Sequence, residues 1–317
     1  MRNNLLYILL GGSLIVAGLL AYSTVGDTPE PGPQAFNLAD WQGRAYEPSL
    51  GVVEIRDVIL DTDSLVETID DWRDDDNIRG LIVAIDSPGG AVAPSQAAYD
   101  AVMRFRQVKP TAAVISSLGA SGGYYIASGA ETIWVMRGSL TGSIGVIMEM
   151  FDATGLAEKI GVQANTITTG EYKDTGNPFR RMTTAEVDYL HDIAMQTYEQ
   201  FLSDVLAGRP ALTAETLRPY ADGRIYLGPR AVEIGLADRI GSFAQAVSAM
   251  AGQTGLPAED TPLVYPHEGW EGRLEDILER LDSGGLHTPL GSTLAPALAL
   301  QRLGAPILAI WPGALAR

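Results

Sequence analysis

Two groups in this chain have chemistry that can be coupled, a serine set among glycines and a lysine further along. Ser121 lies in Gly119-Ala120-Ser121-Gly122-Gly123-Tyr124-Tyr125, small residues followed by an apolar helical run. The pattern predicts a strand turning sharply into a helix and exposing a hydroxyl, with glycines that let a substrate carbonyl approach the backbone. A serine nucleophile needs a base, and Lys173 in Thr169-Gly170-Glu171-Tyr172-Lys173-Asp174-Thr175-Gly176 is the candidate. The chain has three lysines (Lys109, Lys159, Lys173) against nineteen arginines, so a plain surface cation is ordinarily written as arginine here. Arginine does not deprotonate in a protein, whereas a desolvated lysine can serve as a general base. The pair predicts a serine–lysine hydrolase. To work near neutral pH, Lys173 needs its pKa lowered from ~10.4 to ~7–8, which takes burial in an apolar pocket. The plainer readings are a helix cap for Ser121 and a solvated loop cation for Lys173. Asp174 is given no catalytic role, because neighbours in an extended loop point to opposite sides.

Two further turns bear on the same chemistry. Ser87-Pro88-Gly89-Gly90 follows the buried apolar run Gly80–Asp86, and ligands of parallel α/β sheets bind outside such strand ends. Its glycines leave backbone N–H groups open, so Gly90, with Gly122 just past the serine, is the natural oxyanion pair; an ordinary strand-to-helix turn is the alternative. In Leu140-Thr141-Gly142-Ser143-Ile144-Gly145-Val146, Ser143 could hydrogen-bond and orient the lysine nitrogen, or be a local turn serine. The histidines are poor competitors as base. His191 sits on a long polar helical stretch, His267 and His287 lie in an irregular C-terminal region, and all three are expected to touch solvent.

The elements that must position these groups follow from the hydrophobic pattern. Val52–Ile55, Gly80–Asp86, Ala112–Ser116, Thr132–Val135 and Gly145–Met148 read as strands. Helices are expected over Ser64–Arg73 (capped by Asp63 or Ser64), Pro94–Gln107, Gly122–Ser128, Thr183–Gly208 and Pro229–Ile234. Strand, turn and helix in succession predict an α/β sheet covered on both faces. Lys173 falls in a turn-rich loop beside a predicted strand.

Composition bounds the rest. The net charge of -17 argues against a nucleic-acid partner, and the absence of cysteine excludes disulfides, thiol nucleophiles and cysteine metal sites. Leu5–Tyr22 is an uncharged apolar run of ~27 Å as a helix, the length of a bilayer core. It predicts a transmembrane anchor over residues 1–22 with the remainder extracytoplasmic; a cleaved secretory signal ending near Ala21-Tyr22-Ser23 is the alternative. Residues 23–48, with Pro29, Pro31 and Pro33, read as a tether. A peptidase domain over 49–252 and a C-terminal extension over 253–317 complete the division. The leucine-, alanine- and proline-rich tail from Gly284 reads as a strap on the domain or a neighbouring subunit, a shallow membrane contact, or a segment that lies in a groove built for such peptides.

Ile85–Gly90, Ala120–Tyr125, Thr141–Val146 and Tyr172-Lys173-Asp174 resemble the signature turns of the signal peptide peptidase A family. Asn177–Thr183 and Asp222–Gly228 match as well, and the resemblance runs from about Gly51 to Ser248. It implies an α/β fold like that of the Clp protease proteolytic subunit and the crotonases, with repeated β-β-α units. It also implies Ser121 as nucleophile, Lys173 as base, oxyanion contacts near Gly90 and Gly122, and Ser143 beside the lysine. No cofactor or metal is implied. Such proteins form homo-oligomeric rings in which neighbours can complete a site, so Ser121 and Lys173 come from one chain or from two. The implied substrates are apolar signal peptides left in the membrane. Rival readings are a Clp-type protease, which lacks its histidine between Ser121 and His191; a crotonase-like hydratase or isomerase, which would want an acidic residue; a protease cutting apolar tails of membrane scaffold proteins; and an anchored, non-catalytic scaffold.

Overall fold

The computed structural model describes residues 47–266 and the strand Leu308–Ile310. The expected anchor over 1–22, the tether up to residue 46, His267, His287 and the tail other than that strand lie outside the described residues. Among the described residues no helix is long and apolar enough to cross a membrane.

The apolar runs pair as a largely parallel sheet. β1 (Ser49–Ile59), β2 (Ile78–Ala91) and β3 (Thr111–Ala120) lie side by side and parallel, separated in the chain by helices α1 (Asp63–Asp74) and α2 (Val92–Arg106). Alternate residues point to opposite faces, and both faces are covered. Val53, Ile55, Leu81, Val83, Ile85, Ala113 and Ile115 enter one core with α2, α3 (Gly122–Ser128) and α5 (Thr184–Gly208). Leu50, Val52, Ile82, Ala112 and Val114 enter a second with Ala246 and Met250 of α8 (Phe243–Thr254). Burying each large aliphatic side chain contributes roughly 1.5–3 kcal/mol, so the doubly covered strands carry much of the fold.

The sheet forks at β3. Ala112–Ile115 pairs with β4 (Thr132–Val135), whereas Leu118–Ala120 pairs with β5 (Leu140–Gly142). β5 then meets β6 (Ile225–Leu227) in antiparallel fashion, and β4 meets β7 (Arg239–Ile240). At the other edge β8 (Leu263–Val264) joins β1, so the packed body continues past residue 252, where the extension was expected to begin. β9 (Leu308–Ile310) pairs antiparallel with the end of β2, Ala309 opposite Gly90. Three short α-helices, α4 (Thr154–Ile160), α6 (Ala214–Leu217) and α7 (Gly228–Glu233), and a 3-10 turn over Arg218–Tyr220 complete the described part.

Several expectations need correction. Ser87–Gly90 is not a tight turn but the end of β2, which bulges there: Ser87 and Pro88 together oppose the single residue Asp57 (φ 56°) of β1, and pairing resumes at Val58 and Gly89. Gly145–Met148 forms no strand; the ladder of β5 with β6 ends at Gly142, the bonds Ser143 N to Arg224 O (2.7 Å) and Gly223 N to Ile144 O (3.0 Å) follow it, and Ile147 makes only an isolated bridge. Residues 162–168 are irregular as well, so no strand adjoins Lys173. Helix α1 starts after Thr62, whose hydroxyl donates to Pro94 O (2.9 Å) rather than capping the helix.

One ion pair ties the elements together. The buried Arg209 guanidinium donates to both Asp238 oxygens (2.6 and 2.7 Å), and Asp238 also accepts from Ile133 N (2.7 Å). Removing Asp238 strands a buried charge, so Asp238→Ala is expected to lower unfolding free energy by about 3–5 kcal/mol. Denaturant titration checks this, and the double variant Arg209→Met/Asp238→Leu should recover most of the loss.

Candidate active site

Ser121 occupies the junction of β3 and α3 with φ 51° and ψ -117°. That backbone costs a non-glycine residue of order 1–3 kcal/mol and persists because its surroundings over-determine it. Ser121 N donates to Gly142 O (2.8 Å), and Ser121 O accepts from Tyr125 N (2.8 Å). All seven residues of α3 are buried. The Tyr124 hydroxyl donates to Leu236 O (3.0 Å), and the Tyr125 hydroxyl donates to the Asp204 carboxylate; burial, together with that carboxylate, pushes the Tyr125 phenol far up. The turn is therefore fixed from both sides. The sharp strand-to-helix elbow is as expected, but Ser121 is only 1% exposed, because it lies at the floor of a cleft rather than on an open surface.

The end of β2 lies against this elbow. Ser87 Oγ donates to Asp57 O (2.5 Å) and accepts from Gly89 N (3.1 Å), which pins the bulged end of β2 to β1. Gly90 admits no side chain, since a β-carbon there would sit 2.0 Å from Ile59 O. A β-carbon on Gly122 would lie 3.1 Å from Gly90 N and 2.5 Å from Ser95 Oγ. The Gly122 backbone and the Gly90 amide are thus immediate neighbours. As the first residue of α3, Gly122 has an N–H with no acceptor inside its helix. The arrangement can present two N–H groups to one oxygen.

A cleft of about 520 Å³ opens beside Ser121, lined also by Ser143, Ile144, Val146, His191, Tyr198, Arg218 and Asp222. Ser143 is buried with φ 52°, and its N–H donates to Arg224 O (2.7 Å). The Asp222–Gly228 motif is therefore a wall of the cleft. A Met-rich apolar pocket, with Met148, Met150, Met182 and Leu190, adjoins through His191 and Ala194. His191 is exposed on α5, as expected, yet lines both hollows.

Among the described residues, Lys173 does not line the cleft that holds Ser121. It is exposed, so the burial its chemistry requires is not supplied by the described residues. Lys109 is committed elsewhere, donating to Trp72 O (2.9 Å) and Asp75 O (2.6 Å). The loop carrying Lys173 is nonetheless held firmly. Ala153 N donates to Pro178 O (2.7 Å), and Arg180 donates to both oxygens of Asp174 (2.7 and 2.9 Å) and to Glu186. The Arg180 guanidinium and the Thr183 amide hold the buried Glu186 carboxyl far below the usual carboxylate range. Sequence reasoning passed over this cluster, although Thr183-x-x-Glu186 carries a visible capping-box signature.

The sequence profile of peptidase family S49 matches residues 103–256. A protease-named protein of Synechocystis is 37% identical over 210 residues, covering 63% of this chain and 76% of that protein. The chain belongs to peptidase family S49. A protease-named protein of Methanocaldococcus jannaschii is 36% identical over 185 residues, 58% of this chain and 59% of its own length. The serine protease SPPA of Arabidopsis thaliana chloroplasts is 29% identical over 222 residues, 70% of this chain and 33% of its own length. The S49 match takes in Ser121, Ser143, Lys173 and the Arg180 cluster; Gly90 lies ahead of it, on the strand that packs against the elbow.

Proposed function

We propose that this S49 chain is a serine endopeptidase that cuts apolar peptides, such as remnant signal peptides, with a Ser121–Lys173 dyad. The observation that carries the reading is the strained Ser121 elbow with Gly122 packed against the Gly90 amide. Ser121 Oγ attacks the peptide carbonyl, and the Gly90 and Gly122 N–H groups hold the oxyanion. Lys173 takes the hydroxyl proton and returns it to the leaving amine, while Ser143 orients the ammonium. Because Lys173 is exposed on its own chain, the reading assigns it to the site of a neighbouring subunit in a ring, within a fold of the Clp/crotonase type. The acyl-enzyme is then released by water.

The substrate class is supported by the apolar Met148/Met150/Met182 pocket beside the cleft. It is supported also by β9, which already adds an extended segment to the end of β2 by backbone pairing. We assign residues 1–22 as the membrane anchor and place the catalytic domain on the extracytoplasmic side, where apolar remnants of secretion arise. The test is cleavage of a leucine- and alanine-rich peptide, and labelling by a fluorophosphonate probe, with the full chain in detergent. Ser121→Ala and Lys173→Arg are each expected to lose about 10⁴-fold in turnover while keeping the oligomeric state of wild type. A Lys173→Arg variant as active as wild type would put the base elsewhere, and a wild type inert to both peptide and probe would favour a scaffold.

A further inference from the structure

The cluster beside Lys173 does more than cap a helix. Glu186 is the third residue of α5, and its bonds with Thr183 (Thr183 N to Glu186 Oε2, 2.8 Å; Glu186 N to Thr183 Oγ1, 3.2 Å) complete a capping box on their own. A cap needs nothing from the loop. Yet Arg180 reaches from Glu186 back to Asp174 and grips it at three points: Oδ1 (2.7 Å), Oδ2 (2.9 Å) and the main-chain oxygen (3.2 Å). Thr175 Oγ1 adds a bond to Glu186 Oε1 (3.1 Å). The residues gripped are the two that immediately follow Lys173.

The geometry of the loop gives the grip a direction. Lys173 N closes one turn on Gly170 O (3.2 Å), and Asp174 O opens the next by accepting from Asn177 N (3.0 Å). The Asp174 side chain is turned inward and largely covered, while Lys173 is exposed. Gly176 (φ 79°) seats the loop against Met150 Sδ, which would lie 3.1 Å from a β-carbon there. From this we infer that Asp174, Arg180 and Glu186 form a positioning clamp that anchors the lysine loop to the start of α5 and presents Lys173 outward. The inference rests on Lys173 being the base. Asp174, which sequence reasoning left without a role, thereby acquires a positioning one.

A bidentate guanidinium bridging two carboxylates fixes both distance and plane, which a lysine ammonium cannot do. Loss of the clamp should leave Lys173 chemically intact but misplaced, and a displacement of about 1 Å at a reacting group can cost about 10²-fold in rate.

The test uses the full chain in detergent, with a leucine- and alanine-rich peptide and a fluorophosphonate probe of Ser121. Arg180→Lys is expected to lower kcat and the labelling rate by about 10²-fold with KM changed little. The neutral triple variant Asp174→Asn/Arg180→Met/Glu186→Gln leaves no buried charge unpaired, so it guards against simple misfolding and should show the same kcat loss. Melting temperature and oligomeric state are read alongside. If Lys173→Ala is inactive while both clamp variants keep wild-type kcat and labelling, the clamp inference fails. If both clamp variants raise KM and leave kcat alone, the cluster serves the groove and the inference is overturned. Should Lys173→Ala itself remain active, the dyad reading falls first, and the clamp falls with it.

Discussion

Mixing Ser121→Ala subunits with Lys173→Ala subunits should restore peptide cleavage that neither variant has alone. The cleft that holds Ser121 is not lined by Lys173, and Lys173 stands on an exposed loop. The segment leading to that loop is unusually apolar for a free surface, with Ile167 99% and Phe151 75% exposed and Leu156, Ile160 and Phe179 exposed nearby. Contiguous apolar surface of this kind marks interaction sites, and the subunit contact proposed above would cover these side chains. If every site takes its serine from one chain and its lysine from the next, a one-to-one random ring has about one quarter of its sites complete, the product of two independent halves. The measurement is turnover of co-expressed, dually tagged subunits purified through both tags. Background activity in the mixed rings would place serine and lysine in the same chain after a rearrangement of the loop.

Gly122→Ala carries the second large effect. The added β-carbon meets Ser95 Oγ at 2.5 Å and Gly90 N at 3.1 Å. Ser95 is buried and its hydroxyl donates to Ala91 O (2.8 Å), so it does not move aside freely. The strain falls on the two amides that would hold the oxyanion, and losing one such donor costs about 10²–10³-fold in kcat. The expected result is a kcat loss of that order with KM nearly unchanged. Adding Ser95→Ala removes the closer clash and should recover stability, with kcat regained only in part because the contact with Gly90 N remains. A Gly122→Ala enzyme with normal kcat would remove Gly122 from the oxyanion assignment.

Much of this was legible in the sequence because local rules and tertiary demands agree. Helix Gly122–Ser128 starts and stops where the small-residue turn and the following apolar run set it, and Thr183 caps the long helix as its Thr-x-x-Glu pattern requires. The doubly covered strands announced themselves as apolar runs, since a residue buried on either face has no polar alternative. Gly145–Met148 misled for the same reason. An apolar run of four reads as a strand, whether it pairs along its length or, as here, makes one isolated bridge at Ile147 and becomes the wall of a cleft. The course of Ser87–Gly90 depends on pairing with β1 on both sides of a bulge, with Asp57, a residue far away in sequence, opposite Ser87 and Pro88 and accepting from the Ser87 hydroxyl. The Arg180 network was hidden because it joins three ordinary charged residues across two turns. What would cover Lys173 was not readable, because among the described residues it stands exposed.

The pairing of Leu308–Ile310 with Gly89–Ala91 sets a condition on every substrate that uses the same edge. A visitor must displace a strand belonging to the enzyme's own polypeptide, whose local concentration is fixed by covalent connection and not by the amount of protein in solution. Diluting the enzyme therefore leaves this competition unchanged, whereas shortening the chain at its C-terminus abolishes it at once.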